Sequence, residues 1–119
     1  MTIKSFREII AWQKAHELVL EVYKVTSDFP RLEEFNLTSQ LRRCIVSIPS
    51  NITEGFARKS LKDSKRFYII AEASLEEAKY QILLARDLSY VTLDKYSDLI
   101  LKADEVGKLL SRWKNSQKY

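Results

Sequence analysis

The sequence predicts an all-α protein, an up-down antiparallel four-helix bundle formed by a single domain that spans residues 1–119. Glycine and proline occur only twice each, so the chain offers little material for turns. The apolar residues recur at steps of three and four, which is typical of helices, rather than in the strict alternation of strands. Capping patterns precede two of the periodic segments. Long helices joined by short links follow from these observations.

The first helix is predicted to begin near Ser5, because Ser5 and Glu8 have the spacing of a capping box. It should end near Asp28, since Pro30 disfavours helical geometry at Phe29. Its apolar stripe consists of Trp12, Ala15, Val19, Val22 and Phe29, with Thr26 in the gap and with Leu18 and Val25 widening it.

The second segment, about 35–57, contains the motif SIPSNITEG at Ser47 to Gly55. An apolar stripe and a polar stripe both keep their phase across Pro49, whereas a loop there would reset it. The segment is therefore predicted to be one helix. Pro49 cannot donate an N–H to the carbonyl of Ile45, at a cost of about 3 kcal/mol in a regular helix. We favour a kink at Pro49 over the alternative, a break followed by a new first turn.

The third helix is predicted to run from Ser60, where Asp63 completes a capping pattern, to around Tyr90. Its apolar stripe includes Phe67 or Tyr68. The fourth helix should open near Thr92 or Asp94, and residues 114–119 are expected to form a frayed tail.

The totals describe an ordinary water-compatible domain with a net charge of +4 and a pI of about 9.2. This mild basicity permits a polyanionic partner without requiring one. Cys44 is the only cysteine, so no internal disulfide forms and a reducing cytoplasm is the expected location. The N-terminal residues do not resemble a secretory signal, and no apolar run approaches the roughly 20 residues of a membrane span.

Few residues of the sequence support an enzymatic function. His16 is the only histidine and residue 13 is Gln, so the Glu-x-x-His pairs of a di-iron bundle are missing. A Cys44–His16 dyad would make the chain a small hydrolase, but a small buried cysteine is the usual explanation of such a position. The sequence thus predicts a protein that is not an enzyme, with no catalytic residue, metal or cofactor.

Small polar and charged residues line one side of the second helix, and they allow two interpretations. A solvated face is one of them. Contact with another subunit or a ligand is the other, because Ser and Asn are poor choices for a plainly exposed helix. This polar stripe consists of Arg43, Ser47, Ser50, Asn51, Glu54 and Arg58.

Basic residues gather around the second helix and the start of the third, and they are candidates for nucleic-acid contacts. Acidic residues are mixed among them, so a single copy should bind weakly, and an assembly that repeats the patch should bind more strongly. The candidates are Arg42, Arg43, Arg58, Lys59, Lys62, Lys65 and Arg66.

Several of these segments resemble a known family. WQKA at Trp12 to Ala15, Phe29-Pro30, QLRR at Gln40 to Arg43, and SIPSNITEG resemble the four-helix-bundle proteins related to bacterial rRNA intervening-sequence proteins. The resemblance covers nearly the whole chain. The sequence departs from the family pattern at Asn36 and Ser89, where glycine is frequent, and at Cys44, where alanine is frequent.

The resemblance implies a four-helix bundle and a homo-oligomer, since relatives form ring-like homopentamers. Some relatives resemble the accessory protein of diversity-generating retroelements, which binds nucleic acid and a reverse transcriptase. The resulting expectation is a non-enzymatic oligomeric protein that presents a basic surface to RNA, DNA or a nucleic-acid-handling protein. The alternative is a protein-binding adaptor with no nucleic-acid role.

Overall fold

The computed structural model describes residues 2–118 as four helices, with no strand in that range. Helix α1 is Ile10–Thr26, α2 is Leu37–Ala57, α3 is Leu61–Asp87 and α4 is Leu93–Ser116. Short 3₁₀ turns precede α1 at Phe6–Glu8 and α2 at Arg31–Glu33. The all-α four-helix prediction is confirmed.

Each helix packs against its neighbour in the chain, and α4 returns to pack against α1. Neighbours run antiparallel, as the pairs between α3 and α4 show: Lys114 reaches Glu72 at 2.9 Å and Lys79 reaches Asp104 at 2.8 Å. The result is an elongated molecule of 46 × 25 × 19 Å. Up-down topology therefore brings the start of α1, the α2–α3 link and the end of α4 to one end of the bundle.

Helix starts follow the capping chemistry with one difference. Thr92 and Ser60 cap α4 and α3 by accepting hydrogen bonds from the backbone N–H groups of Lys95 and Asp63. The Ser5–Glu8 capping box is present, but it closes the 3₁₀ turn, and α1 starts only after Ile9. The predicted start at Ser5 was wrong because the buried Ile9 adopts extended geometry and interrupts the helix.

Three further boundaries differ from the predictions. Residues 114–116 continue α4 rather than fraying, since Lys114 is held by Glu72 and Ser116 bonds the carbonyl of Trp113. Helix α3 ends at Asp87, before the predicted Tyr90. Phe35 lies outside α2. Tyr119, the end of the predicted tail, lies outside the described residues.

The core is formed by one side of each of the four helices. Ile45, Ile48 and Ile52 of α2 are 0% exposed, and Tyr68, not Phe67, is the buried aromatic residue of α3. Trp12, Phe56 and Trp113 pack against the core at its edge rather than inside it.

Candidate nucleic-acid interface

The motif SIPSNITEG lies inside one continuous α2. Pro49 is buried within the helix, and Ile48 and Ile52 on either side of it both face the core. The Thr53 hydroxyl donates to the carbonyl of Pro49 at 2.9 Å. The prediction of one helix across the proline is confirmed, and the alternative of a break and restart is wrong. The kink itself stays a prediction.

Gly55, which closes the motif, lies directly against the ring of Tyr68 in α3. A Cβ atom at this position would lie 2.4 Å from Cε1 of Tyr68 and 2.8 Å from Cδ1. Real carbon atoms do not approach so closely, so the absence of a side chain lets the Tyr68 ring pack directly on the α2 backbone. The motif therefore contributes to the packing of α2 against α3 and does not form a turn.

The polar stripe of α2 lines the face that α2 shares with α3, but its members differ in role. The Ser47 and Ser74 hydroxyl groups lie 2.8 Å apart, and the Asn51 amide donates to the Ser47 hydroxyl at 2.9 Å. These half-buried groups connect the two helices. Ser50 and Glu54 remain exposed.

Arg43 belongs to the exposed part of this stripe. It lines a shallow cleft of about 290 Å³ between α2 and α3, together with Gln40 and Glu77. No carboxylate of residues 2–118 lies within ion-pair distance of Arg43. A partner that approaches this face meets a free guanidinium.

Cys44 is buried beside the polar stripe of α2, in surroundings that disfavour its thiolate form. Its thiol donates to the carbonyl of Ser74 at 3.0 Å. Burial, followed by the nearby carboxylate of Glu77, raises the pKa of the Cys44 thiol from 9.0 to about 12. His16 is stacked on Trp12 instead, with ring centroids 5.1 Å apart. At neutral pH the thiol is therefore protonated, and the thiolate that a nucleophile requires is absent.

The structure divides the predicted basic cluster in two. Arg42 and Arg43 lie in the first half of α2, about 24 Å along the helix axis from Arg58. Arg42 is half-buried; its guanidinium donates to the Thr26 hydroxyl at 2.8 Å and covers the Tyr23 ring at 4.6 Å. Arg42 therefore contributes to the packing of α1 against α2.

The other members meet around the α2–α3 link. The guanidinium carbons of Arg58 and Arg66 lie 4.6 and 5.0 Å from the centre of the Phe67 ring. Arg58 also pairs with Glu54 at 2.7 Å, in an exposed contact that solvent screens. Lys59 and Lys62 are exposed and Lys65 is half-buried. No carboxylate of residues 2–118 pairs with these three lysines.

The fold adds further basic residues that the sequence-based candidate list lacked. Up-down topology brings residues 2–9 and 112–118 toward the end that holds 54–66, and we call these three segments the basic end. Their basic side chains are Lys4, Arg7, Arg58, Lys59, Lys62, Lys65, Arg66, Arg112, Lys114 and Lys118. Their acidic side chains are Glu8, Glu54 and Asp63, and Lys114 is also paired with Glu72 of α3 at 2.9 Å. The C-terminal run of lysines and arginine was the sequence signal for this extension.

Charge at the opposite end, residues 21–43 and 86–98, is close to balanced. Its acidic residues are Glu21, Asp28, Glu33, Glu34, Asp87, Asp94 and Asp98, against Lys24, Arg31, Arg42, Arg43, Arg86 and Lys95. Several of these charges form ion pairs with one another, as in the bond of 3.0 Å from Lys95 of α4 to Glu21 of α1. The positive excess of the protein is therefore concentrated at the basic end.

The comparisons with known proteins agree with this fold. The family model for the 23S rRNA-intervening sequence protein matches residues 7–112. The chain belongs to this family. A crystal structure from Bacteroides thetaiotaomicron, titled as a protein of unknown function from the S23 ribosomal protein family, superposes with a TM-score of 0.82. It is 23% identical and the match covers 90% of this chain and 100% of that one, which shows a shared fold.

No curated protein matches the sequence. Within residues 2–118, none of the helices has the length and apolar character needed to cross a membrane.

The backbone at Ser89 has the geometry that usually favours glycine. Ser89, where the resemblance implies a frequent glycine, has a φ angle of 65°. This left-handed geometry follows the end of α3 and is the geometry that glycine adopts without a steric penalty. The other departure near a helix end, Asn36, has a negative φ.

Proposed function

We propose that this protein is an oligomeric binding protein that presents its basic end to the phosphates of nucleic acid. One observation carries the proposal: the α2–α3 link and both terminal segments place their basic side chains at one end of the bundle, with few carboxylates among them. The elongated shape separates this end from the balanced one. A phosphate backbone is the polyanion that such a surface suits.

The cluster around Phe67 supports this role. The ring supports the guanidinium groups of Arg58 and Arg66 at 4.6 and 5.0 Å, so less side-chain freedom is lost when they meet a phosphate. The structure provides no recognition helix among residues 2–118, so contacts should be made with the backbone and should be largely blind to sequence.

Assembly supplies the affinity that one copy lacks. A homo-oligomer, with a five-membered ring proposed from the family resemblance, repeats the basic end several times and so raises the effective affinity for a long polyanion. Light scattering should therefore give a mass several times the 14.0 kDa of one chain. A species of one chain at micromolar concentration contradicts the oligomer. The proposed place of action is the cytoplasm, where the single cysteine stays reduced.

The experiment compares two variants of equal charge. Lys59→Gln with Lys65→Gln removes two charges from the basic end, and Lys24→Gln with Arg31→Gln removes two from the opposite end. Filter binding of RNA and duplex DNA is measured across a salt series. If the basic end contacts phosphates, the first variant lowers the duplex salt slope by up to about 2 and the second leaves it unchanged.

Two results would remove the nucleic-acid proposal. One is binding by the wild-type protein no stronger than that of a net-neutral control protein at low salt. The other is an equal effect of both variants, because only overall charge would then matter.

A second candidate function is a protein-binding adaptor, and exposed apolar side chains at the opposite end favour it. Phe35 is 86% exposed, Leu32 73% and Leu93 72%. Large apolar side chains grouped on a surface are typical of protein contacts. Phe35→Ser with Leu32→Ser should abolish capture of a protein partner while leaving the salt slope unchanged. Loss of nucleic-acid binding in that variant would argue against two separate surfaces.

A further inference from the structure

The two links at the end opposite the basic end contact each other. One link joins α1 to α2 and the other joins α3 to α4, and the Tyr90 hydroxyl of the second donates to the Glu33 carboxylate of the first at 2.7 Å. The rings of Phe29 and Tyr90 also meet, with centroids 5.4 Å apart. The two links therefore form one surface. With the helix residues beside them, 27–36 and 87–94, we call this surface the apolar tip.

Large apolar side chains are exposed on both links and at the start of α4. Leu88 is 45% exposed, and the three side chains named above for the adaptor are more exposed still. The four exposed apolar residues of the tip are Leu32, Phe35, Leu88 and Leu93. Because the two links touch, one partner can contact all four at once. Grouped exposed side chains of this kind are typical of a binding surface.

Carboxylates accompany these apolar side chains. The acidic residues of the tip are Asp28, Glu33, Glu34, Asp87 and Asp94, and its only basic residue is Arg31. Asp87 pairs with Arg86 at 2.9 Å, whereas no basic side chain of residues 2–118 lies within ion-pair distance of Asp28, Glu34 or Asp94. These three carboxylates are exposed and available to a cationic partner.

Three basic side chains lie on the helices next to the tip, and two of them have partners there. The Arg86 guanidinium covers the Tyr96 ring at 4.6 Å, and Lys95 bonds Glu21 at 3.0 Å. Lys24 is exposed, one turn of α1 before the tip. The outermost surface is therefore acidic, although this end of the protein as a whole is close to balanced.

We infer that the apolar tip binds a basic amphipathic segment of another protein, in which large apolar side chains are flanked by lysine or arginine. The apolar side chains of the segment cover Leu32, Phe35 and Leu93, and its cations meet the carboxylates beside them. Burial of the apolar side chains supplies most of the affinity, and the charges select the partner. This inference rests on the adaptor function given above as the second candidate, and it names the class of partner.

Charge and composition argue against the other occupants of the tip. A nucleic acid or an anionic lipid surface would bring phosphates against the carboxylates, and a second apolar tip would bring like charges together. The basic end of another copy supplies cations without apolar side chains. None of the large apolar side chains exposed in residues 2–118 lies in its segments 2–9, 54–66 and 112–118. A different protein that carries both kinds of side chain is the occupant that fits.

The test measures the binding of three fluorescently labelled helical peptides by anisotropy. The first peptide has leucines on one face and lysines beside them. The second has glutamates in place of the lysines, and the third has serines in place of the leucines. The wild-type protein should bind the first peptide more tightly than the other two. Added salt should weaken this binding, because the flanking charges are exposed to solvent.

The apolar part of the tip is tested by Phe35→Ser with Leu93→Ser. This variant should bind the first peptide about tenfold more weakly or worse, since two large apolar contacts are lost. The matched control is Leu20→Ser with Leu101→Ser, because these leucines are 53% and 72% exposed on α1 and α4 outside the tip. The control should bind the peptide as the wild-type protein does.

The charged part of the tip is tested by variants with opposite effects. Glu34→Gln with Asp94→Asn should weaken binding of the first peptide at low salt, and Arg31→Gln should strengthen it, because the tip then becomes more acidic. Glu17→Gln with Glu105→Gln removes two carboxylates from the side of the bundle and should leave the binding unchanged. Circular dichroism establishes that every variant is folded.

The outcomes separate the inference from the proposed functions. Failure of the wild-type protein to bind the first peptide, or equal losses in the tip and control variants, overturns the inference. If the second peptide binds the tip at least as tightly as the first, the adaptor stands and the basic partner is wrong. If none of the three peptides binds the tip, the adaptor fails as well. Filter binding of nucleic acid depends on the basic end and should be the same for every tip variant.

Discussion

At the scale of single residues, this fold depends on two positions where backbone geometry and close packing decide which side chain is accepted. Gly55 lies against the ring of Tyr68, and Ser89 lies in left-handed geometry after α3. Gly107 is the contrasting case, since a Cβ there would meet only the end of the Leu75 side chain, at 3.2 Å.

Gly55→Ala should lower the free energy of unfolding by about 1–3 kcal/mol, because the added methyl group forces Tyr68 out of its position. Urea unfolding measures the change. Gly107→Ala is the matched control and should be neutral or stabilising by up to about 1 kcal/mol, since alanine favours a helix over glycine. Equal stability of the two variants would contradict the close approach at Gly55.

Ser89→Gly should raise the free energy of unfolding by about 0.5–1 kcal/mol. The substitution removes the steric cost of a side chain at a φ angle of 65°, which exceeds the added freedom of the unfolded chain. Ser97→Gly, inside α4, is the comparison and should lower the stability by a similar amount. A loss of stability in both variants would show that Ser89 is not strained.

Cys44 should resist alkylation in the folded protein. Its thiol pKa is raised to about 12 by burial and by Glu77, so almost no thiolate exists at pH 8. Mass spectrometry after iodoacetamide treatment should find no adduct on the wild-type protein and one on Ser50→Cys, whose new thiol is exposed on α2. Both proteins should gain Cys44 labelling in urea. Rapid labelling of folded Cys44 would revive the nucleophile hypothesis.

At the scale of helices, two kinds of contact hold neighbours together. The α2–α3 pair is joined by direct packing at Gly55 and by the hydroxyl contact of Ser47 with Ser74. The α1–α4 pair adds charge, since Lys95 of α4 donates to Glu21 of α1 at 3.0 Å. This hydrogen bond, with the nearby positive charges, lowers the pKa of Glu21, although partial burial opposes the shift.

Glu21→Gln should lower the free energy of unfolding at pH 7 by about 0.2–1 kcal/mol, a size that allows for solvent screening of a partly exposed pair. Because the pKa of Glu21 is lower in the folded protein, the ionised carboxylate stabilises the fold at pH values above the pKa of a glutamate in the unfolded chain, about 4.3. This stabilisation is lost as the pH falls through the pKa of Glu21 in the folded protein. Urea unfolding at pH 7 and at pH 3 should show a difference in the free energy of unfolding between variant and wild type that is smaller at the lower pH.

The control for this pair is Glu17→Gln, because the Glu17 side chain is 63% exposed and its one ion-pair partner among residues 2–118 is Lys14, at 3.4 Å. Its effect at pH 7 should be the smaller of the two. A pH-independent effect of Glu21→Gln would show that shape rather than charge decides the contact.

At the scale of the whole molecule, the uneven distribution of charge matters more than the net charge of +4. An elongated bundle keeps its two ends apart, so the field of the basic end is not cancelled by carboxylates at the other. A negatively charged surface should therefore bind the protein through its basic end.

Cation-exchange chromatography tests this polarity without any nucleic acid. Lys59→Gln with Lys65→Gln should elute at lower salt than Lys24→Gln with Arg31→Gln, although the two variants have the same net charge. The reason is that the protein binds the resin through its basic end. Identical elution would mean that the charge distribution has no such effect.

The sequence by itself determined the four helices and their buried sides, including the passage of α2 through Pro49. Helical periodicity is local, and both stripes kept their phase across the proline, so no tertiary information was needed. The predicted start of α1 at Ser5 was wrong because burial of Ile9 overrode a local capping signal. The fraying of residues 114–116 was wrong because Lys114 finds Glu72 on another helix.

Only the tertiary structure decided which charges act together. Arg42 stands beside Arg43 in the sequence, yet its guanidinium is bonded within α1–α2 packing, whereas Arg112 and Lys118 join Lys59 at one end from the far end of the chain. The close approach at Gly55 was equally hidden, because it depends on where the Tyr68 ring lies. The periodicity of a helix depends on residues that are close in the sequence. Contacts between helices depend on how distant segments pack, which no single segment determines.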